Sequence, residues 1–296
     1  MANLSMPSVA ARLKKMLTED GLLLMPCCFD ALSARLIEMT GFKLTFMSGF
    51  AVSATRLALP DTGLISYGEM VDQGRNITAA VSIPVLADGD TGYGNAINVK
   101  RTVAGYAATG FACVMIEDQV SPKRCGHITG KQVVGRSEAL TRIRAAVDAR
   151  EEGADILIMA RTDARTTLGI ADALWRCQAF ADLGADIIFL EAPESREEMR
   201  RFCRQVRGAK MANMVEGGRT PLLPAAELAD MGYKIAAYPL TMLGVAVKAM
   251  QDALCRLRDD GRLENSMDLN RLKDIVGFER YAEEERRYSS GRHRDD

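Results

Sequence analysis

The stretch VLADGDTGYGN, residues 85–95, begins with a short apolar run that closes on an acid and continues into a loop rich in glycine. The run is too short for a helix and lacks the alternation of a half-exposed strand, so it reads as a strand buried on both faces. Seven more runs of this kind occur, at 22–26, 44–48, 113–117, 156–161, 187–191, 211–215 and 235–238. Amphipathic stretches lie between them, at 31–40, 66–80, 98–108, 136–151, 170–181, 196–205 and 224–230, and a long one follows at 241–259. Many close on a glycine, such as Gly41, Gly110, Gly153, Gly184 and Gly232, where a left-handed cap ends a helix. Eight strands alternating with eight helices predict a (β/α)8 barrel. Neither a dinucleotide-binding GxGxxG at a strand-to-helix turn nor a Walker A loop is present to support an open doubly wound sheet.

The barrel is expected over residues 1–261, with a helical extension over 262–290 and a disordered tail over 291–296. The extension carries Met267, Leu269, Leu272, Ile275, Val276, Phe278 and Tyr281, which find no room in a closed barrel and are expected to pack outside it or on a neighbouring subunit. The 38 Lys and Arg against 39 Asp and Glu leave no positive surplus to attract nucleic acid or an anionic membrane. The first residues show no signal-peptide core and no apolar run nears the ~20 residues that cross a bilayer, so a cytoplasmic protein is expected. Seven cysteines at 27, 28, 113, 125, 177, 203 and 255 show no zinc-ligand spacing and are expected to be reduced, most of them in the core.

Active sites of such barrels form at the carboxyl ends of the strands. Asp88, Asp90 and Glu117 end neighbouring strands there, and three converging carboxylates repel one another unless a hard cation relieves them. Magnesium is expected, with manganese as the other possibility, held directly by one or two acids and through water by the rest. The structural alternative pairs these acids with Arg161 and Arg101. Ser48 and Gly49 offer a hydroxyl and backbone N–H groups to a substrate carboxylate, although Ser-Gly is also an ordinary turn. Arg161 offers a fixed positive fork, or else pairs structurally with Glu191 or Asp163. In KRCGH, residues 123–127, the cations Lys123, Arg124 and His127 surround the Cys125 thiol and lower its pKa, and Gly126 lets the chain bend.

SGFAVSA, LPDTG, DGDTGYGN, IEDQ, PKRCGH, ARTDA, EAP and NMVEGG follow one another along the chain in an order that resembles the isocitrate lyase and phosphoenolpyruvate mutase superfamily. The resemblance implies a (β/α)8 barrel whose last helix is swapped between subunits in a homotetramer, a dimer of dimers. It also implies Asp88 as the direct magnesium ligand, with Asp61, Asp90 and Glu117 holding its waters. Ser48 and Gly49 match the carboxylate cradle, Arg161, Glu191 and Asn213 match substrate-contacting positions, and Lys123, Cys125, Gly126 and His127 match the gating loop of the lyases, whose Cys is a general acid. KRCGH is lacking in the phosphonate mutases and hydrolases, so the lyase branch is expected.

Within that branch, SGFAVSA and the HxxGKxVV formed by His127, Gly130, Lys131, Val133 and Val134 look more like the dimethylmalate lyase and petal-death group than the methylisocitrate lyases. Phe50 narrows the pocket for a shorter substrate. Pro239 stands where oxaloacetate-hydrolysing relatives carry Ser. The expected reaction is cleavage of an alkylated 2-hydroxy di- or tricarboxylate to a 2-oxo acid such as pyruvate and a carboxylic acid. The alternatives are hydrolysis of oxaloacetate, phosphonate chemistry, and a barrel without catalysis. The base stays open among Glu117, Glu191 and a metal-bound water.

Overall fold

The computed structural model describes residues 7–124, 130–263 and 266–289. After helix α1 (Val9–Thr18), the strands β1 (Leu23–Cys28), β2 (Thr45–Met47), β3 (Val85–Asp88), β4 (Cys113–Glu117), β5 (Leu157–Thr162), β6 (Ile187–Leu190), β7 (Ala209–Asn213) and β8 (Ile235–Tyr238) close into a parallel barrel in chain order. Closure comes from β1 pairing with β8, where Leu23 lies opposite Ile235 and Pro26 opposite Tyr238. Between the strands run α2 (Ala31–Met39), α3 (Gly49–Leu57), α4 (Tyr67–Ala80), α5 (Ala96–Thr109), α6 (Arg136–Glu151), α7 (Ala164–Leu168), α8 (Ile170–Asp182), α9 (Arg196–Gln205) and α10 (Ala225–Met231). α11 (Thr241–Asp260), α12 (Leu269–Val276) and α13 (Phe278–Ser289) follow.

Local chemistry starts and stops these helices. Ser66 and Asn95 close capping boxes with Glu69 and Asn98 at the heads of α4 and α5, satisfying backbone N–H groups that the first turn leaves unpaired. Gly110 and Gly232 end α5 and α10 in the left-handed conformation that a side chain disfavours.

The strands bury both faces, and each face has its own core. Met25, Cys27, Phe46, Leu86, Met115, Met159, Phe189, Met211, Ile235 and Ala237 point inward and fill the barrel, and Leu13 of α1 packs with them. Their chain neighbours Cys28, Met47, Ala87, Val114, Ile116, Ile158, Ala160, Ile188, Leu190 and Ala236 point outward against the helices. Burying one large aliphatic or aromatic side chain stabilises by about 1.5–3 kcal/mol. A slip of one residue in any strand would exchange the two sets.

α1, α3 and α7 lie where the sequence predicts no element. The helical extension expected after Gly261 consists of two helices, because Gly277, at φ +85°, caps α12 before α13 begins. The chain divides into two compact units, Met1–Gly244 and Val245–Asp296. That division falls inside α11, upstream of the expected boundary at Gly261, and α11 buries no residue along its length. Cys255 on α11 is therefore exposed rather than a core thiol, whereas Cys27, Cys28, Cys113 and Cys177 are buried. Among the described residues, no helix is long and apolar enough to cross a membrane.

Candidate active site

The inward register of the strands builds the site. Two residues beyond the last inward apolar side chain, the chain presents Ser48 after Phe46, Asp88 after Leu86, Glu117 after Met115, Arg161 after Met159, Glu191 after Phe189 and Asn213 after Met211. Successive side chains of a strand alternate faces, so these six share the interior face with the apolar residues below them. All of them but Glu117 line a cavity, open in part to solvent, with about 560 Å³ of empty space, whose walls also include Asp61, Phe46, Phe50, Met115, Phe189, Met211, Pro239 and Leu240.

Ser48 caps α3, its Oγ accepting from Ala51 N–H at 3.3 Å, while its own N–H donates to Cys28 O at 3.1 Å. The N–H groups of the first turn of α3 have no partner inside the helix and suit an anion. Gly49 is demanded by a close approach: a Cβ there would stand 2.5 Å from Asp88 Oδ2. Gly89 is equally constrained, since a Cβ would meet Met115 O at 2.6 Å. Asp90 adopts φ +48°, and its N–H donates to Asp88 Oδ1 at 3.0 Å, which turns the chain back toward the cavity. Tyr106 Oη donates to Asp88 O at 2.9 Å and pins the end of β3.

Lys123 is placed otherwise than the sequence suggested. Its buried Nζ lies 2.6 Å from both carboxylate oxygens of Asp61 and 2.8 Å from Asp90 Oδ1, so it is committed to the acids and does not line the cavity. Burial works to neutralise Lys123, but Asp90, Asp88, Asp61 and Glu117 outweigh it and keep the ammonium charged well beyond its usual range. Burial likewise pushes up Asp90, to about 7, and Asp88 and Asp61 add to the effect, although the Lys123 charge opposes it. Asp61 and Glu117 are raised for the same primary reason, Glu117 strongly and against the pull of Arg161.

Arg161 is buried among three acids, with Nε 2.8 Å from Asp163 Oδ2 and 3.3 Å from Glu117 Oε2, and Nη2 3.3 Å from Glu191 Oε2. Both structural partners weighed from the sequence, Asp163 and Glu191, are thus present, while Arg101 instead lies over the Tyr67 ring at 4.4 Å. Asn213 Nδ2 donates to Glu191 Oε2 at 3.3 Å, and Glu191 Oε1 accepts from Ala192 N–H at 3.0 Å. Cys125, Gly126 and His127 lie outside the described residues. Phe50 and Pro239 stand in the cavity wall, while Phe46, Met115, Phe189 and Met211 had no signal singled out in the sequence, although the period of two that marks the polar ring marks them as well.

Cation binding is tested by the donor set. Asp61, Asp88, Asp90, Glu117, Asp163 and Glu191 are all buried, against Lys123, Lys131 and Arg161 as their cations. Buried carboxylates in such excess hold protons or attract a cation. Glu117 Oε1 is buried with no hydrogen-bond partner. Among the described residues no three acids, histidines or cysteines stand close enough to grip a metal together. The residues fit a hard ion that keeps most of its waters, and they do not fit a tightly caged one.

A closed barrel whose rim joins an acid cluster, a buried arginine and a helix N-terminus defines an enzyme site for small carboxylates. A family model for phosphoenolpyruvate phosphomutase matches residues 13–258. The chain is 44% identical over 289 residues to the 2,3-dimethylmalate lyase of Eubacterium barkeri, which covers 96% of this chain and all of that protein. It superposes with TM-score 0.92 on an oxaloacetate acetylhydrolase bound to 3,3-difluorooxalacetate, at 36% identity over 95% of this chain and 97% of the other. It also superposes with TM-score 0.85 on a phosphonopyruvate hydrolase complexed with oxalate and Mg++, at 29% identity over 95% and 99%. The chain belongs to the phosphoenolpyruvate mutase and isocitrate lyase superfamily, on its lyase branch.

Proposed function

We propose that this protein is a magnesium-dependent carbon–carbon lyase that cleaves an alkylated malate of the 2,3-dimethylmalate type to a 2-oxo acid such as pyruvate and a second carboxylic acid. The observation that carries this reading is the cavity: Arg161 is the one cation among its described lining residues, and Phe46, Phe50, Met115, Met211 and Leu240 form an apolar wall. Alkyl groups match that wall, whereas a third carboxylate would meet no positive partner there. The similarity to the 2,3-dimethylmalate lyase supports the same reading.

Asp88 would hold magnesium, with Asp61, Asp90 and Glu117 facing its waters, and the ion when bound would lower the pKa of the substrate's 2-hydroxyl. Manganese suits the same oxygen donors. The first turn of α3 with Ser48 receives the C1 carboxylate, and Asn213 and Glu191 orient the rest. Glu117 suits the part of proton acceptor, because burial makes it more basic and Oε1 is unpartnered, whereas Glu191 is engaged by Ala192, Asn213 and Arg161. As the hydroxyl proton leaves, C2 becomes a carbonyl, the C2–C3 bond breaks and its electron pair moves to C3 as an enolate of the departing acid. Arg161 stabilises the charge on the reacting oxygens. Cys125, with His127 and Gly126 beside it, gives C3 its proton. Lys123 keeps the acid cluster in place.

The test is a substrate panel with magnesium: 2,3-dimethylmalate, other alkylmalates, 2-methylisocitrate and oxaloacetate. An alkylmalate is expected to release pyruvate fastest, and oxalate from oxaloacetate as the fastest product would overturn the reading. Hydrolysis of oxaloacetate is the second reading, favoured by the superposition on the acetylhydrolase. Pro239 in the cavity wall speaks against it, since proline offers no donor to a hydrated ketone.

Gly49→Ala tests the close approach at Asp88. Its methyl group forces the carboxylate aside, and a displacement of that size is expected to lower turnover by about a hundredfold while the thermal melt stays cooperative. Wild-type turnover would show that the carboxylate position does not matter.

The second unit bears on assembly. Among its described residues only Ile275 is buried, while Val245, Met250, Leu254, Leu257, Leu269 and Phe278 are exposed. This apolar face supports a helix exchange between copies of the chain in a homotetramer, a dimer of dimers. Light scattering after size exclusion is expected to give four times the 32.3 kDa chain mass, and a stable monomer would refute it.

A further inference from the structure

Lys131 has no part in the chemistry proposed above, yet it is a buried charge. Its Nζ stands 2.7 Å from Asp163 Oδ1, with 1% of its side chain exposed. The same carboxylate receives both arms of the Arg161 fork, Nε at 2.8 Å on Oδ2 and Nη2 at 3.1 Å on Oδ1. Asp163 is fixed from behind as well, its N–H donating to Asp118 Oδ1 at 2.9 Å. The backbone that follows Lys131 is tied down: Val120 N–H donates to Gln132 O at 2.8 Å and Val134 N–H to Asp118 O at 2.9 Å. Lysine is costly to bury, so its seat behind Asp163 requires a reason.

We infer that Lys131 is a positioning residue for substrate binding: by neutralising Asp163 it leaves the charge of Arg161 available to the substrate carboxylate. This rests on the proposal that Arg161 meets the substrate. Without Lys131, Asp163 would have Arg161 as its nearest cation, would draw the guanidinium more firmly to itself and would weaken its field in the cavity. Charge one step removed thus sets how strongly the arginine binds an anion.

Calorimetric titration of the full chain with oxalate, in the presence of magnesium, tests this without turnover. Lys131→Met is expected to weaken oxalate binding by about tenfold with magnesium affinity unchanged, and Lys131→Arg to restore most of it. In an Asp163→Asn background, adding Lys131→Met is expected to change oxalate affinity by less than about twofold, because the carboxylate that Lys131 acts on is gone. Lys131→Gln, which keeps a donor but loses the charge, gives the same comparison where Lys131→Met does not fold. Wild-type oxalate affinity in Lys131→Met, an equal loss in the Asp163→Asn background, or no oxalate binding by the wild type would each overturn the inference. Oxalate binding that depends on Lys131 in an enzyme that leaves alkylmalates untouched would instead sustain it and refute the proposed reaction.

Discussion

Asp88→Ala is expected to lose magnesium dependence and turnover together, falling below about one thousandth of the wild-type rate. Asp88 is the acid whose position the surrounding chain protects most closely. Gly49 is bare to admit its Oδ2, Asp90 N–H holds its Oδ1, and Tyr106 fixes its carbonyl. Its removal leaves Lys123 paired with Asp61 and Asp90, so the cluster does not collapse for want of a partner. It also takes one buried negative charge from a group with too many. Thermal stability should therefore hold or rise, as when a strained functional residue is removed. Calorimetry with magnesium beside a melt and an assay separates these effects, and magnesium-stimulated turnover in the variant would refute the ligand.

Cys125→Ala is expected to lower turnover by about 10²–10⁴-fold while binding of magnesium and oxalate persists. The enolate at C3 needs an acid, and the described cavity wall offers few. Ser48 is a weak acid engaged in capping α3, and Arg161 does not give up its proton. Among the described residues a thiol does line the cavity: Cys27, on β1, where burial above all, with Cys28 adding to it, raises its pKa well above the usual range. The raised pKa makes Cys27 a poor donor, so Cys27→Ala is the control and is expected to stay within about tenfold of wild type. The reverse order of effects would move the general acid from the KRCGH stretch to β1.

The strands were legible in the sequence because each is buried on both faces, which leaves a short apolar run bounded by turns. β3, β4 and β8 fall at the positions read from the sequence, and α6 and α9 do so among the helices. α3 was hidden in SGFAVSA, where small residues carry little helical period and Ser48 reads equally as a turn. α7 is too short to show a period. The polar rim was legible as a set of strand ends, but the parity that joins each member to the Met, Phe or Leu two residues earlier needed the strand register. Long-range pairings had no local signal. Lys123 meets Asp61 across 62 positions and Lys131 meets Asp163 across 32. A cation next to Cys125 in sequence was read as part of the thiol's surroundings, although its charge is spent on the acids.

That parity has a consequence for how such a protein can change over evolutionary time. The rim occupies one storey of the strands β2 to β7 and the apolar filling the storey beneath, so a new side chain at Ser48, Glu191 or Asn213 alters what the cavity accepts without disturbing the layer that closes the barrel. Heritable variation can therefore explore new reactions at the top while the foundations stay untouched. A scan of all substitutions at those three positions, scored for folding and for activity separately, should find the two scores nearly independent, whereas the same scan at Phe46, Phe189 and Met211 should find them locked together.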